Sequence, residues 1–218
     1  MSQEYRQRPF VVPPDATEVV LARHGASQPI RPGERFPMLD GVGDPPLAPE
    51  GHAQAALLAR RLEREDIAAV FVTGLQRTIE TAAPLGRETA EVAELREVNL
   101  GEWEGGEFRI RFWEGDPVAM RTVTEERWDV IPGAESMEGF AERVKAGIDR
   151  VVEATGPGRI ALVVAHGGVI GEVCRQATNS RPFAFVHSDN CSITRLVRFA
   201  DGRWLLRSFN DTTHLNGD

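Results

Sequence analysis

The sequence predicts an α/β fold built on a largely parallel sheet. Three observations point there. Short apolar runs alternate along the chain with amphipathic segments of helical period. The residues with chemical potential follow directly after the apolar runs, where open α/β sheets place their ligands. The chain has 218 residues, enough for one sizeable domain; hydrophobic residues make up 41%, and the 21 glycines bring the apolar share to about half, the ordinary globular value. A real core follows, and wholesale disorder does not.

Glu18–Ala22 (EVVLA) is apolar without helical period and reads as a buried strand. Gly51–Glu65 is a helix, with Ala55, Leu58, Ala59 and Leu62 on one face and Arg60, Arg61, Glu63 and Arg64 on the other. Ala69–Thr73 is the next strand. Gln76–Arg87 suits a helix that Pro84 kinks or ends. Glu91–Leu95 reads as a short strand. Ser136 caps a long helix to Ala154, with Phe140, Val144, Ile148, Val151 and Val152 aligned. Ile160–Ala165 (IALVVA) is the clearest buried strand, and Gly168–Ala177 the helix after it. Ser192–Phe199 and Trp204–Phe209 form a hairpin across Asp201-Gly202. Residues 1–16 read as a polar arm and residues 211–218 as a frayed tail. No internal repeat is visible.

Charge and composition narrow the function. Lys and Arg number 25 against 33 Asp and Glu, a net charge of −8 without basic runs, which argues against nucleic acid and anionic membrane as partners. No stretch approaches the roughly 20 apolar residues of a membrane span. Met1–Val12 lacks the apolar segment of a secretory signal. Cys174 and Cys191 form no metal-ligand pattern and read as buried thiols in a reducing cytoplasm.

The first strand runs into Arg23-His24-Gly25, the second into Gly74-Leu75-Gln76-Arg77, and IALVVA into His166-Gly167-Gly168. Two histidines and two arginines therefore converge on one sheet edge. Guanidinium forks match phosphate oxygens, a neutral imidazole attacks phosphorus, a second histidine supports the developing charge, and a carboxylic acid is needed to protonate the leaving oxygen. Taken singly, each histidine after a strand is more often structural, and each arginine a surface residue. A zinc site would need a third ligand, and none stands at motif spacing. The residues alone leave the acid open among Glu94, Glu97, Glu102 and Glu104.

Leu21-Ala22-Arg23-His24-Gly25 resembles the first motif of the histidine phosphatase (phosphoglycerate mutase-like) superfamily. So do Asp44–Gly51 before the first helix, Val72–Ala82, Leu95–Gly105, Val164–Ile170 and Asn190–Ile193, in the family's order across about residues 17–210. The resemblance implies a three-layer sandwich over residues 17–210 with a lid insertion. It also implies metal-independent hydrolysis of a small phosphorylated metabolite, without cofactor. His24 would become phosphohistidine. Arg23, Arg77, His166, Ser27 and the Gly167 amide would hold the phosphoryl group, and Glu97 would serve as acid and then base. The chain departs from the family at Ala26, where Glu is common, at Ile30, where Asn often touches phosphate, and at Gly74, where Ser is usual. Gln28 or Ser27 would stand in for that Asn. Arg96–Gly101 matches the phosphatase form of the acid motif rather than the mutase form; a mutase and a non-catalytic phosphate-binding protein are the alternatives. Trp103–Glu135 is the lid. Its Trp103, Phe108, Phe112, Trp113 and Trp128, with Arg109 and Arg111 interleaved, either form the lid's own core or line the leaving-group side or a homodimer seam.

Overall fold

Alternate residues of the central strands face two different layers, and that alternation organises the molecule. The computed structural model describes residues 4–216. β1 (Thr17–Arg23) sends Val19 and Leu21 to one face and Val20 and Ala22 to the other. β6 (Ile160–Ala165) divides Ala161, Val163 and Ala165 from Leu162 and Val164 in the same way. Strands buried on both faces carry no polar alternation, which is why both read as continuous apolar runs.

The first face packs on α5 (Met137–Thr155) through Phe140, Val144, Ile148 and Val151, and on α6 (Gly167–Thr178) through Val169, Ile170 and Val173. The second packs on α1 (Pro49–Leu62) through Leu58 and Leu62, and on α2 (Gln76–Ala82) through Ala82. The expected three-layer sandwich is therefore present. Across the sheet the order is β5 (Ala90–Glu91), β4 (Ile67–Val72), β6, β1, β7 (Ile193–Arg198), β8 (Trp204–Asp211). The first four run parallel; β7 and β8 close the edge antiparallel. Arg23 pairs with Ala165 and Phe71 with Val163, so β1, β4 and β6 end together at one edge.

Several boundaries differ from expectation. The segment read as a strand over Glu91–Leu95 pairs only at Ala90–Glu91 and then turns into a 3-10 helix at Ala93–Leu95. Its next carbonyls are taken by a side chain: Arg143 donates to the oxygens of Glu94 (2.8 Å), Arg96 (2.7 Å) and Glu97 (3.0 Å). α2 stops at Ala82; a 3-10 turn carries Pro84, and Gly86 at φ +63° ends it. The predicted tail is tied down through residue 215. β8 reaches Asp211, Thr213–Leu215 form a 3-10 turn, His214 Nε2 lies 3.1 Å from the Cys191 carbonyl and Leu215 packs against the α1 side of the core. Residues 1–3 of the arm and 217–218 of the tail lie outside the described residues. The small hairpin of β2 (Met38–Leu39) and β3 (Val42–Gly43) has no strong sequence signal.

The lid holds two short helices, α3 (Glu107–Glu114) and α4 (Pro117–Thr124), the second capped by Asp116, which accepts from the Val118 and Ala119 amides. Trp103, Ala119 and Ile131 form a separate small core there. Among the described residues no helix is long and apolar enough to cross a membrane.

Candidate active site

β1 and β6 deliver their following residues side by side. The His24 amide donates to the Ala165 carbonyl at 2.9 Å, which places the His24 and His166 rings 5.2 Å apart. Both are buried, 7% and 0% exposed, so neither is a surface histidine. The turn after His24 lies against the start of α1 without side chains between them. A Cβ on Gly25 would stand 2.6 Å from the Gly51 carbonyl oxygen, and one on Gly51 would stand 2.1 Å from that of Ala26. From β4, Thr73 brings its hydroxyl to 2.9 Å from His166 Nε2. Arg77 is buried in the first turn of α2 and donates to the Gly43 carbonyl at 2.8 Å.

The hydrogen bonds fix which nitrogens are free. His24 Nδ1 lies 2.7 Å from the Gly25 carbonyl, which only accepts, so Nδ1 carries the hydrogen and Nε2 the lone pair. Thr78 donates its hydroxyl to the Leu75 carbonyl, Thr73 donates to Thr78, and His166 Nε2–H therefore donates to Thr73. This leaves His166 Nδ1 as the ring's acceptor. Both rings are held neutral, with pKa values well below the usual 6.5. Burial is the first cause for each, followed by Arg77 and Arg23 for His24, and by Arg77, His24 and Arg23 for His166. His166 Nδ1 and Arg23 Nε are buried and have no hydrogen-bond partner among the described residues. The Arg23 guanidinium is anchored at its other end on the Ser188 carbonyl.

Glu97 enters the same cavity as Arg23, His24 and Arg77. Its Oε2 accepts the Gly168 amide at 3.1 Å and its Oε1 the Val98 amide at 3.0 Å. A Cβ on Gly168 would stand 2.4 Å from Oε1, so the glycine lets the carboxylate lie on the start of α6. Arg143 fixes the loop beneath it through the three carbonyls above, and is itself paired with Glu135. Of the competing carboxylates, Glu94 faces Arg150 at the surface and Glu102 is exposed. Glu104 is buried and also reaches the cavity; its oxygens accept the Gly43 amide at 2.7 Å and the Leu100 amide at 2.9 Å, as those of Glu97 accept two amides, so the contacts alone do not separate the two carboxylates. Glu104 braces the residue whose carbonyl holds Arg77.

Ser27 lines the cavity, and its hydroxyl receives Arg109 Nη2 at 3.0 Å, while Arg109 Nη1 donates to the Gln28 carbonyl at 2.8 Å. Arg109 thus stands beside the loop that follows His24, close enough for its charge to act on His24 and Arg77. Arg109, expected only as a charge interleaved with the lid aromatics, is a third guanidinium lining the cavity. One signal could have found it. Arg111 has carboxylate partners nearby in Glu107 and Asp116, whereas Arg109 has none at helical spacing. Ile30 does not replace the family's Asn: it packs by Gly106, where a Cβ would be 2.5 Å from its Cδ1. Gly167 lies beside Arg23, and it is the next amide, that of Gly168, that is committed to Glu97. Among the described residues no cluster of three or more His, Cys, Asp or Glu comes together as a metal site.

The cavity measures about 310 Å³. Its floor carries the charged groups, and its outer wall is aromatic. Trp103 and Phe108 thus serve the lid's packing and face the cavity as well, and Trp128, which packs against the main core, lines it too.

Comparison with known proteins places the fold. The chain is 29% identical to "Probable phosphoglycerate mutase GpmB" of Yersinia enterocolitica over 220 aligned positions, covering 91% of this chain and 95% of the relative. It superposes on a mycobacterial glucosyl-3-phosphoglycerate phosphatase with TM-score 0.73 and 26% identity, over 89% of this chain and 99% of that one. A phosphoserine phosphatase from Entamoeba histolytica shares the fold at TM-score 0.73 and 22% identity, over 91% and 99% of the two chains. The family model described as the histidine phosphatase superfamily, branch 1, matches residues 19–212, and the chain belongs to that superfamily.

Proposed function

We propose that the protein is a phosphomonoester hydrolase that works without a metal ion, through a phosphohistidine at His24. The observation that carries this reading is the fixed tautomer of His24. Its Nδ1–H is spent on the Gly25 carbonyl, so a neutral Nε2 lone pair stands among Arg23, Arg77 and His166. The guanidiniums neutralise the phosphoryl oxygens, the task a divalent cation performs in other phosphatases.

His24 Nε2 attacks phosphorus and forms the N–P bond as the ester P–O bond breaks. The departing oxygen takes the proton of the Glu97 carboxyl. One proton lies between His166 Nδ1 and a phosphoryl oxygen, supplied by the monoanionic ester or taken up by the ring. In the second half Glu97, now ionised, removes a proton from water, the hydroxide attacks phosphorus, and the N–P bond breaks. Inorganic phosphate leaves and neutral His24 is restored. Roles for Arg23, Arg77, Ser27 and Gly167 as phosphoryl contacts belong to the same reading.

The test is acid-labile labelling. Wild type should release phosphate from phosphomonoesters in excess EDTA and retain a base-stable, acid-labile label, whereas His24→Ala should do neither. A fully active His24→Ala protein, or activity lost to EDTA and restored by a divalent ion, would overturn the reading.

A further inference from the structure

The wall opposite the charged floor is the feature the proposed chemistry leaves unused. Phe108 is its centre, 6.4 Å from Trp103, 5.7 Å from Phe112 and 5.9 Å from Trp128 between ring centroids. Phe36 faces the cavity from the other side under the Arg109 guanidinium, 5.3 Å away. Phe112 and Trp113, 39% and 86% exposed, stand at the mouth. These rings continue directly from the phosphoryl-binding floor, so whatever is esterified to the phosphate must lie against them.

The charges exclude one kind of alcohol. The cations that line the cavity are Arg23, Arg77 and Arg109, and each is already anchored, on the Ser188 carbonyl, on the Gly43 carbonyl, and on the Gln28 carbonyl with the Ser27 hydroxyl. The other charged groups lining it are the carboxylates Glu97 and Glu104. A second anionic group on the alcohol would therefore meet aromatic faces and two carboxylates. An alcohol rich in hydroxyls would also find no acceptor on the wall, because Phe108 and Phe112 offer none and the indoles of Trp103 and Trp128 only donate.

We infer that the substrate is the phosphomonoester of a flat, apolar, ring-bearing alcohol without a carboxylate, held between the guanidinium floor and the aromatic wall of the lid. The inference rests on the hydrolase reading for its reaction but not for its binding. The cavity of about 310 Å³ matches a phosphoryl group with a ring-sized alcohol. Apolar contact in such a pocket discriminates by about 10–200-fold per missing methylene-sized increment, and ring stacking adds to this.

The experiment pairs turnover with binding. kcat/KM is measured for 2-naphthylmethyl, benzyl and ethyl phosphate, whose alcohols leave with similar difficulty, and for 3-phosphoglycerate, phosphoserine and glucose 6-phosphate. Dissociation constants are measured by calorimetry for 2-naphthylmethyl- and ethylphosphonate, which cannot be hydrolysed. The naphthylmethyl compound should exceed the ethyl compound by at least about tenfold in both series, with the carboxylated and sugar phosphates no better than ethyl phosphate. Phe112→Ala and Trp113→Ala, exposed enough to leave the fold intact, should each lower that ratio. Tight naphthylmethylphosphonate binding with no hydrolysis of any ester would keep the substrate class and remove the hydrolase reading. Equal affinities for the two phosphonates, a preference for a carboxylated or sugar phosphate, or wild-type ratios in both variants would overturn the substrate class.

Discussion

Gly168→Ala tests how Glu97 is held without touching a titratable group. The added Cβ would lie 2.4 Å from Glu97 Oε1 and 3.3 Å from its carboxyl carbon. Reaching van der Waals contact moves the carboxylate by about 1 Å. The backbone of α6 has no reason to object. Gly168 is the second residue of α6 with no positive φ, and alanine is favoured over glycine there by up to the mid-helix figure of about 0.5–1 kcal/mol. The amide bond to Oε2, 3.1 Å in the native protein, is lost or lengthened, at about 1 kcal/mol. The two terms nearly cancel, so the urea midpoint should barely move. The kinetic effect should not cancel. A misplacement of about 1 Å costs a positioned catalytic group on the order of 10²-fold, within the 10²–10⁴-fold range of general acid help. The assay is rapid-quench phosphoenzyme formation in a single turnover, with an alkyl phosphate and with p-nitrophenyl phosphate. The alkyl rate should fall about 10²-fold, while the aryl rate changes little because a phenolate leaves without a proton. Glu97→Gln should show the same contrast, and Gly168→Ala should add little in that background. A folded Gly168→Ala protein with the wild-type alkyl rate, or with equal losses for both leaving groups, would refute the argument.

Two further outcomes follow from the floor of the site. Arg109→Ala removes a charge-assisted contact worth about 1.5–3 kcal/mol, so calorimetric affinity for inorganic phosphate should fall roughly 10–100-fold, with Arg109→Lys recovering only part; unchanged affinity would place Arg109 outside the phosphoryl site. The two histidines set a pH dependence of stability. Their native pKa values lie well below the unfolded value near 6.5, so between the two the unfolded chain binds more protons and the native state is penalised. Stability should be level above about pH 7 and fall on acidification below 6.5, by up to ~1.4 kcal/mol per pH unit for each ring. Urea midpoints from pH 8 to pH 5 should show a shallower decline in His166→Gln, and a slope identical to wild type would contradict the buried neutral assignment.

What could be read in advance divides along a physical line. β6 was legible to the residue and β1 to within one residue at each end, because a strand buried on both faces leaves an unbroken apolar run. The α5 start was legible because Ser136 makes the local contact its type predicts, accepting the Gly139 amide at 3.1 Å. The pairing of His24 with His166 followed from topology alone, since parallel strands that end together bring together whatever follows them.

The parts that stayed hidden are those where a charged side chain has a distant address. Arg143 reaches carbonyls 46 to 49 residues away, and nothing local in its helix distinguishes it from Arg150, which only meets Glu94 at the surface. The bonds of Arg143 hold the chain where it leaves the sheet, at Glu94 inside the expected strand and at Arg96 and Glu97 just beyond it. Glu104 is the same case with the sign reversed. Its carboxylate joins the Leu100 and Gly43 amides, and the Gly43 carbonyl in turn fixes Arg77, so the little β2–β3 hairpin is a strut between the lid and the phosphoryl floor. A two-residue strand pair has too little apolar surface to signal itself in sequence. It forms here because buried charges hold its backbone, and the same charges set the position of the Arg77 guanidinium.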